Sequence, residues 1–95
     1  MRNYEVMCIL NADLDKEANE KVIEKIEDLI KKNKGTVEKV DKWGRRKLTY
    51  QIDEHKDGFY VVIYFKGENK TIAELDRVLK LTGDIVRFMI VRKGE

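Results

Sequence analysis

The apolar positions of this chain follow two rhythms, one of period two and one of three to four. Residues 2–10 alternate, with Tyr4, Val6, Cys8 and Leu10 on one face and Asn3, Glu5, Met7 and Ile9 on the other. Both faces turn apolar toward the middle, which predicts a central strand. Between Asp15 and Lys34 the spacing changes: Ala18, Val22, Ile23, Ile26, Leu29 and Ile30 recur every three or four residues, an amphipathic helix with Asp15 as N-cap and Gly35 as left-handed terminator. Thr36 to Ile52 returns to strand, with Leu48, Tyr50 and Ile52 on one face, and Gly44 inside it signals a bulge or bend. Asp53 to Gly58 is a turn.

Phe59 to Phe65 is the strongest strand, with Phe59, Val61, Ile63 and Phe65 opposite Tyr60, Val62 and Tyr64, and it should be paired on both edges. After a loop over Gly67–Lys70, Thr71-Ile72-Ala73-Glu74 reads as a capping box opening a second helix, with Leu75, Val78 and Leu79 inward and Gly83 at its end. Ile85 to Arg92 is the last strand, with Phe88 and Ile90 in the core. The order β-α-β-β-α-β, with right-handed crossovers, predicts an α+β ferredoxin-like domain over residues 1–95: a four-stranded antiparallel sheet with two helices on one face. The other face has no cover of its own. Met7, Ile9, Tyr60, Val62, Tyr64 and Met89 fall there, and Met7, Tyr60, Val62, Tyr64 and Met89 are candidate partner contacts.

Charge changes this picture only through its distribution. The net charge is +2, from 20 Lys and Arg against 18 Asp and Glu. Residues 15–34 balance six acids against six bases, so the first helix is neutral. Residues 36–52 carry five bases (Lys39, Lys42, Arg45, Arg46, Lys47) against Glu38 and Asp41, and residues 85–93 carry Arg87, Arg92 and Lys93 against no acid, so each segment is +3. The positive excess therefore sits on strands, where a folded sheet could present it to phosphate. Trp43-Gly44-Arg45-Arg46-Lys47 adds an aromatic ring to the cations, which suits nucleic acid.

The chemistry of catalysis is missing. No glycine-rich phosphate loop, metal-ligand spacing or nucleophile–base set stands out, and the only histidine, His55, lies in the predicted turn. Cys8 reads as a small core residue. No apolar run reaches the roughly 20 residues of a membrane helix, and the N-terminus enters a strand pattern rather than a signal peptide. These features predict a cytoplasmic binding module with no metal, no cofactor and no small-molecule substrate.

Two stretches carry a resemblance. Met1-Arg2-Asn3-Tyr4-Glu5 and Trp43-Gly44-Arg45-Arg46-Lys47-Leu48-Thr49-Tyr50-Gln51-Ile52 are similar to bacterial small-subunit ribosomal protein six, and Gly58-Phe59-Tyr60 and Val86-Arg87-Phe88-Met89 fit the same family. Thr49 and Gln51 depart from its usual residues without breaking the alternation. The resemblance implies a structural constituent of the small ribosomal subunit that binds the central domain of its RNA together with small-subunit protein eighteen. It implies RNA contacts at Arg2, Tyr4, Arg45, Arg46, Lys47 and Arg87. The residues themselves add Trp43 for packing and Lys56, Arg92 and Lys93 as nearby cations. Strand parity instead places Tyr4 with Val6, at the core edge. Two other readings share the fold. One is an RNA-recognition-motif-like binder of single-stranded RNA, against which Asp57, Tyr60 and Val61 stand where its third-strand signature wants a cation, a small residue and an aromatic. The other is a ligand-binding or regulatory homodimer.

Overall fold

Among the described residues of the computed structural model six elements follow one another: β1 (Arg2–Asn11), α1 (Lys16–Lys32), β2 (Thr36–Lys47), β3 (Asp57–Gly67), α2 (Asn69–Leu81) and β4 (Ile85–Arg92). The structure describes residues 2–11, 13–47 and 57–93, with the backbone alone at 45–47 and 57. The expectations for Leu48, Tyr50, Ile52, His55 and Lys56 lie outside the described residues. The strands form one antiparallel sheet in the order β2-β3-β1-β4, with β3 and β1 central as their two apolar faces require. This is the ferredoxin-like arrangement.

The period-two pattern decides which side of the sheet is dry. Tyr4, Val6, Cys8 and Leu10 of β1, with Val61, Ile63 and Phe65 of β3, pack against Val22, Ile23, Ile26 and Ile30 of α1 and Leu75 and Leu79 of α2. Leu29, Phe88 and Ile90 are partly buried against this cluster, and Val78 is half-buried.

The start of α1 is built as expected, whereas its end and the start of α2 are not. At the start of α1 the Ala18 N–H donates to Asp15 Oδ1 at 2.8 Å, the predicted cap. At its other end the left-handed residue is Lys34 (φ 70°), not Gly35. The Gly35 N–H donates to the Ile30 carbonyl at 2.8 Å and the Lys34 N–H to the Lys31 carbonyl at 3.1 Å, a Schellman closure. Gly35 is needed for space instead. A Cβ there would lie 2.6 Å from Ile30 Cγ2 and 2.8 Å from the Lys66 carbonyl oxygen.

The second helix starts earlier than the Thr71 capping box suggests. Its N-cap is Glu68, and Thr71 is the third helical residue, fully buried. The Glu68 N–H donates to Thr71 Oγ1 at 3.1 Å, and Thr71 Oγ1 donates to the Asn33 carbonyl at 2.8 Å. One hydroxyl therefore closes the start of α2 and ties it to the end of α1. Thr71→Val keeps the shape and removes both bonds, so it should lower the unfolding free energy by about 1 kcal/mol. Urea unfolding checks this, with Thr71→Ser expected to retain most of the wild-type midpoint.

Candidate nucleic-acid interface

The open sheet face is organised in rows set by strand register. One row crosses Gly44, Tyr60, Ile9 and Arg87, the next Asp41, Val62, Met7 and Met89, and the next Lys39, Tyr64, Glu5 and Val91. A register shift between Lys42 and Gly44, with Gly44 at φ 86°, marks the bulge that the glycine signalled. The extra residue is Trp43. Its ring stacks on Tyr60, with centroids 6.2 Å apart and planes 8° apart, and the residue stays 41% exposed. Arg87 is exposed at the far end of the same row.

The bulge also moves every later residue of β2 by one place. The backbone of Arg45 stands opposite Phe59, that of Arg46 opposite Gly58 and that of Lys47 opposite Asp57. Arg45, Arg46 and Lys47 thus reach the same end of the sheet as Trp43 and Arg87. The two edge strands lie three strand spacings apart, roughly 14 Å. The platform between them is the Trp43–Tyr60 stack and Ile9.

The other candidates are elsewhere. Arg2 pairs with Gly67 at the opposite end of β1, seven residues or about 23 Å from the Ile9 row. Lys93 is beside Asn3 at that end, and its ammonium is 3.4 Å from Glu5. Arg92 pairs with Tyr4 and lines a groove on the helix side of the sheet. Tyr4 needs correction as an RNA contact. Only 7% of it is exposed, and its ring stacks on Phe65 at 5.7 Å. The parity of β1 turns it toward the helices, so it belongs to the core.

The apolar middle of the open face is partly self-covered. Val62 is 1% exposed and Ile9 8%, because both lie on central strands among larger neighbours. Val62 is therefore corrected from a contact candidate to a buried support. Met89 is 56% exposed and Val91 41%, while Met7, Tyr60 and Tyr64 are half-buried. Lys39 Nζ sits 5.9 Å from the centre of the Tyr64 ring, close enough for a cation–π contact. Sequence reasoning missed Lys39 as part of this face and separated Trp43 from Tyr60. Only the register and the bulge join them.

No group of three metal-ligating side chains occurs among the described residues. Cys8 is fully buried, and burial pushes its thiol up to about 12, far from the low range of reactive cysteines. A hollow of about 370 Å³ lies between the start of α1, β2 and β3, lined mainly by Leu10, Ile23, Phe59 and Val61. The buried Asn19 borders it, and its Oδ1 has no hydrogen-bond partner among the described residues.

Fold and face together define a ferredoxin-like binding domain with a cationic, aromatic end to its open sheet. Residues 3–92 match the family model described as Ribosomal protein S6. The chain is 46% identical over 95 residues to small ribosomal subunit protein bS6 of Desulforamulus reducens, covering 100% of both chains. It is 48% identical over 91 residues to the bS6 protein of Clostridium novyi, covering 96% of each. The crystal structure of 30S ribosomal protein S6 from Thermotoga maritima superposes with a TM-score of 0.90 at 32% identity, over 97% of this chain and 87% of that one. The chain belongs to the ribosomal protein S6 family. It is a constituent of the small ribosomal subunit, not an enzyme, and its place is the ribosome in the cytoplasm. None of the described helices is long and apolar enough to cross a membrane.

Proposed function

We propose that this protein binds the central domain of small-subunit ribosomal RNA together with small-subunit protein eighteen. The observation that carries the RNA contact is the Trp43–Tyr60 stack set in one row with Arg87, at the end of the sheet where Arg45, Arg46 and Lys47 close β2. Guanidinium groups bond phosphate oxygens in pairs and stack on bases. Exposed aromatic rings take the faces of unpaired bases, the parts of a folded RNA that a protein can reach. Met89, Val91 and the half-buried Met7 and Tyr64 form the apolar stretch suited to the protein partner. Arg2, Arg92 and Lys93 are too far from the stack to share one short RNA segment with it. Lys56 remains a candidate on the strength of its charge alone.

The test is binding of the full chain to a central-domain RNA fragment, with and without protein eighteen, over a series of salt concentrations. Arg46→Ala combined with Arg87→Ala should weaken binding about tenfold or more, since each charged hydrogen bond contributes roughly 1.5–3 kcal/mol. It should also flatten the salt dependence by about one ion for each phosphate left without its cation. Thermal unfolding should hardly change. Normal incorporation of the double variant into small-subunit particles would remove these two residues from the interface. A tight homodimer indifferent to RNA would favour the regulatory reading.

A further inference from the structure

The two edges of the sheet differ in how they are finished. The β2 edge is broken by two register shifts and a residue at φ 86°, devices that blunt an edge against further pairing. The β4 edge is regular from Arg87 to Arg92, contains no proline and, among the described residues, pairs only with β1. The Lys93 N–H donates to the Asn3 carbonyl at 2.8 Å, which sets the phase of the β1–β4 ladder. Antiparallel pairs alternate between bonded and non-bonded, so the non-bonded pairs are Tyr4–Arg92, Val6–Ile90 and Cys8–Phe88. The N–H and C=O groups of Phe88, Ile90 and Arg92 therefore point away from the sheet.

The side chains of the same three residues form one wall of a groove of about 790 Å³, whose other wall is Ile72, Ala73 and Asp76 of α2. Phe88, Ile90 and Ile72 are half-buried, so its floor is apolar and open to solvent. The volume is within the roughly 300–1,000 Å³ usual for binding sites. The charged side chains lining the groove are Arg92, Lys80 and Asp76, and Lys80 pairs with Asp76 at 2.9 Å, so the excess charge there is that of Arg92, which favours an acidic occupant. The three cations of residues 85–93 disfavour a second copy, which would bring one +3 strand against another.

We infer that β4 accepts an extended, acidic–apolar polypeptide segment of a partner as a fifth strand. Its main chain bonds to Phe88, Ile90 and Arg92, its apolar side chains enter the groove beside α2, and an acidic residue faces Arg92. This is strand addition with side-chain pockets, in which the main chain supplies affinity and the groove supplies selectivity. The site lies across the edge from the proposed RNA platform and does not depend on it.

The probe is a blocked nine-residue peptide alternating Val and Glu, titrated into isotope-labelled full chain without RNA or other proteins. Saturable amide shifts centred on Phe88, Ile90 and Arg92, with their hydrogen exchange slowed roughly tenfold or more, are expected. The Val–Lys counterpart should bind at least tenfold more weakly. Ala73→Trp, at an exposed position on the groove wall, should abolish binding and leave the unfolding midpoint unchanged. Absence of saturable shifts up to about 1 mM peptide would overturn the inference, as would shifts confined to Met89 and Val91 on the open face. Concentration-dependent shifts at β4 without peptide would assign the edge to a second copy and overturn it too.

Discussion

Phe65→Ala should remove about 3–5 kcal/mol of unfolding free energy. Domains of this kind are usually stable by only about 5–15 kcal/mol, so a third or more of the total is at stake. The reason is position. Phe65 is on β3, paired on one side with Tyr4 of β1 and on the other with Val37 of β2, and none of its surface is exposed. Its ring stacks on Tyr4 with planes 22° apart, a contact worth about 0.5–1.5 kcal/mol beyond area. Alanine would lose the ring's burial, leave a cavity and strip Tyr4 of its neighbour. Guanidinium denaturation gives the test: Phe65→Leu should keep most of the wild-type midpoint, and Phe65→Ala should lower it far more. Equal midpoints for wild type and Phe65→Ala would mean that the inward face of β3 has been misassigned.

Gly35→Ala should cost about 3 kcal/mol, the upper end for an added methyl in a packed place. Its backbone is not in the left-handed region, so no conformational strain is involved. The obstacle is crowding by the Ile30 side chain and by two backbone oxygens, those of Lys66 and Ile30, which cannot turn aside as a side chain can. Gly83 is the control. A Cβ there meets nothing within 4 Å, and its φ is not positive, so Gly83→Ala should stabilise by about 0.4–1 kcal/mol through the unfolded chain. Opposite signs for the two substitutions in the same urea experiment are the expected result. A neutral Gly35→Ala would show that the turn after α1 can move away from β3.

The elements were legible because their periods are clean. Alternation in β1 and β3 and the three-to-four spacing of α1 placed Val6, Leu10, Ile26, Ile30, Ile63 and Phe65 inside, where they are. The ends were less legible. Thr71-Ile72-Ala73-Glu74 matches a capping box, yet Glu68 opens α2, because the buried Thr71 hydroxyl is occupied by the Glu68 N–H and the Asn33 carbonyl. Lys34, not Gly35, takes the left-handed turn, because a crowded glycine and a twisted one look alike in sequence. Asn19 carried no signal of burial at all.

The candidate site was legible in its residue types and not in its geometry. The run Trp43-Gly44-Arg45-Arg46-Lys47 and the cations of the last strand stand out by charge alone. Which of them share a place depends on register. Tyr4 passed for a surface aromatic by resemblance, while its even position beside Val6 already pointed inward.

What the sequence by itself determined is the order of the elements, the dry face of each and the sign of the charge on β2 and β4. Those follow from local periodicity and composition, which need no distant partner. Only the tertiary structure decided that Trp43 lies on Tyr60, that Arg87 shares their row while Arg2 does not, and that Val62 is buried on the open face. Those depend on strand order, register and a one-residue bulge, which are settled by packing between segments far apart in the chain.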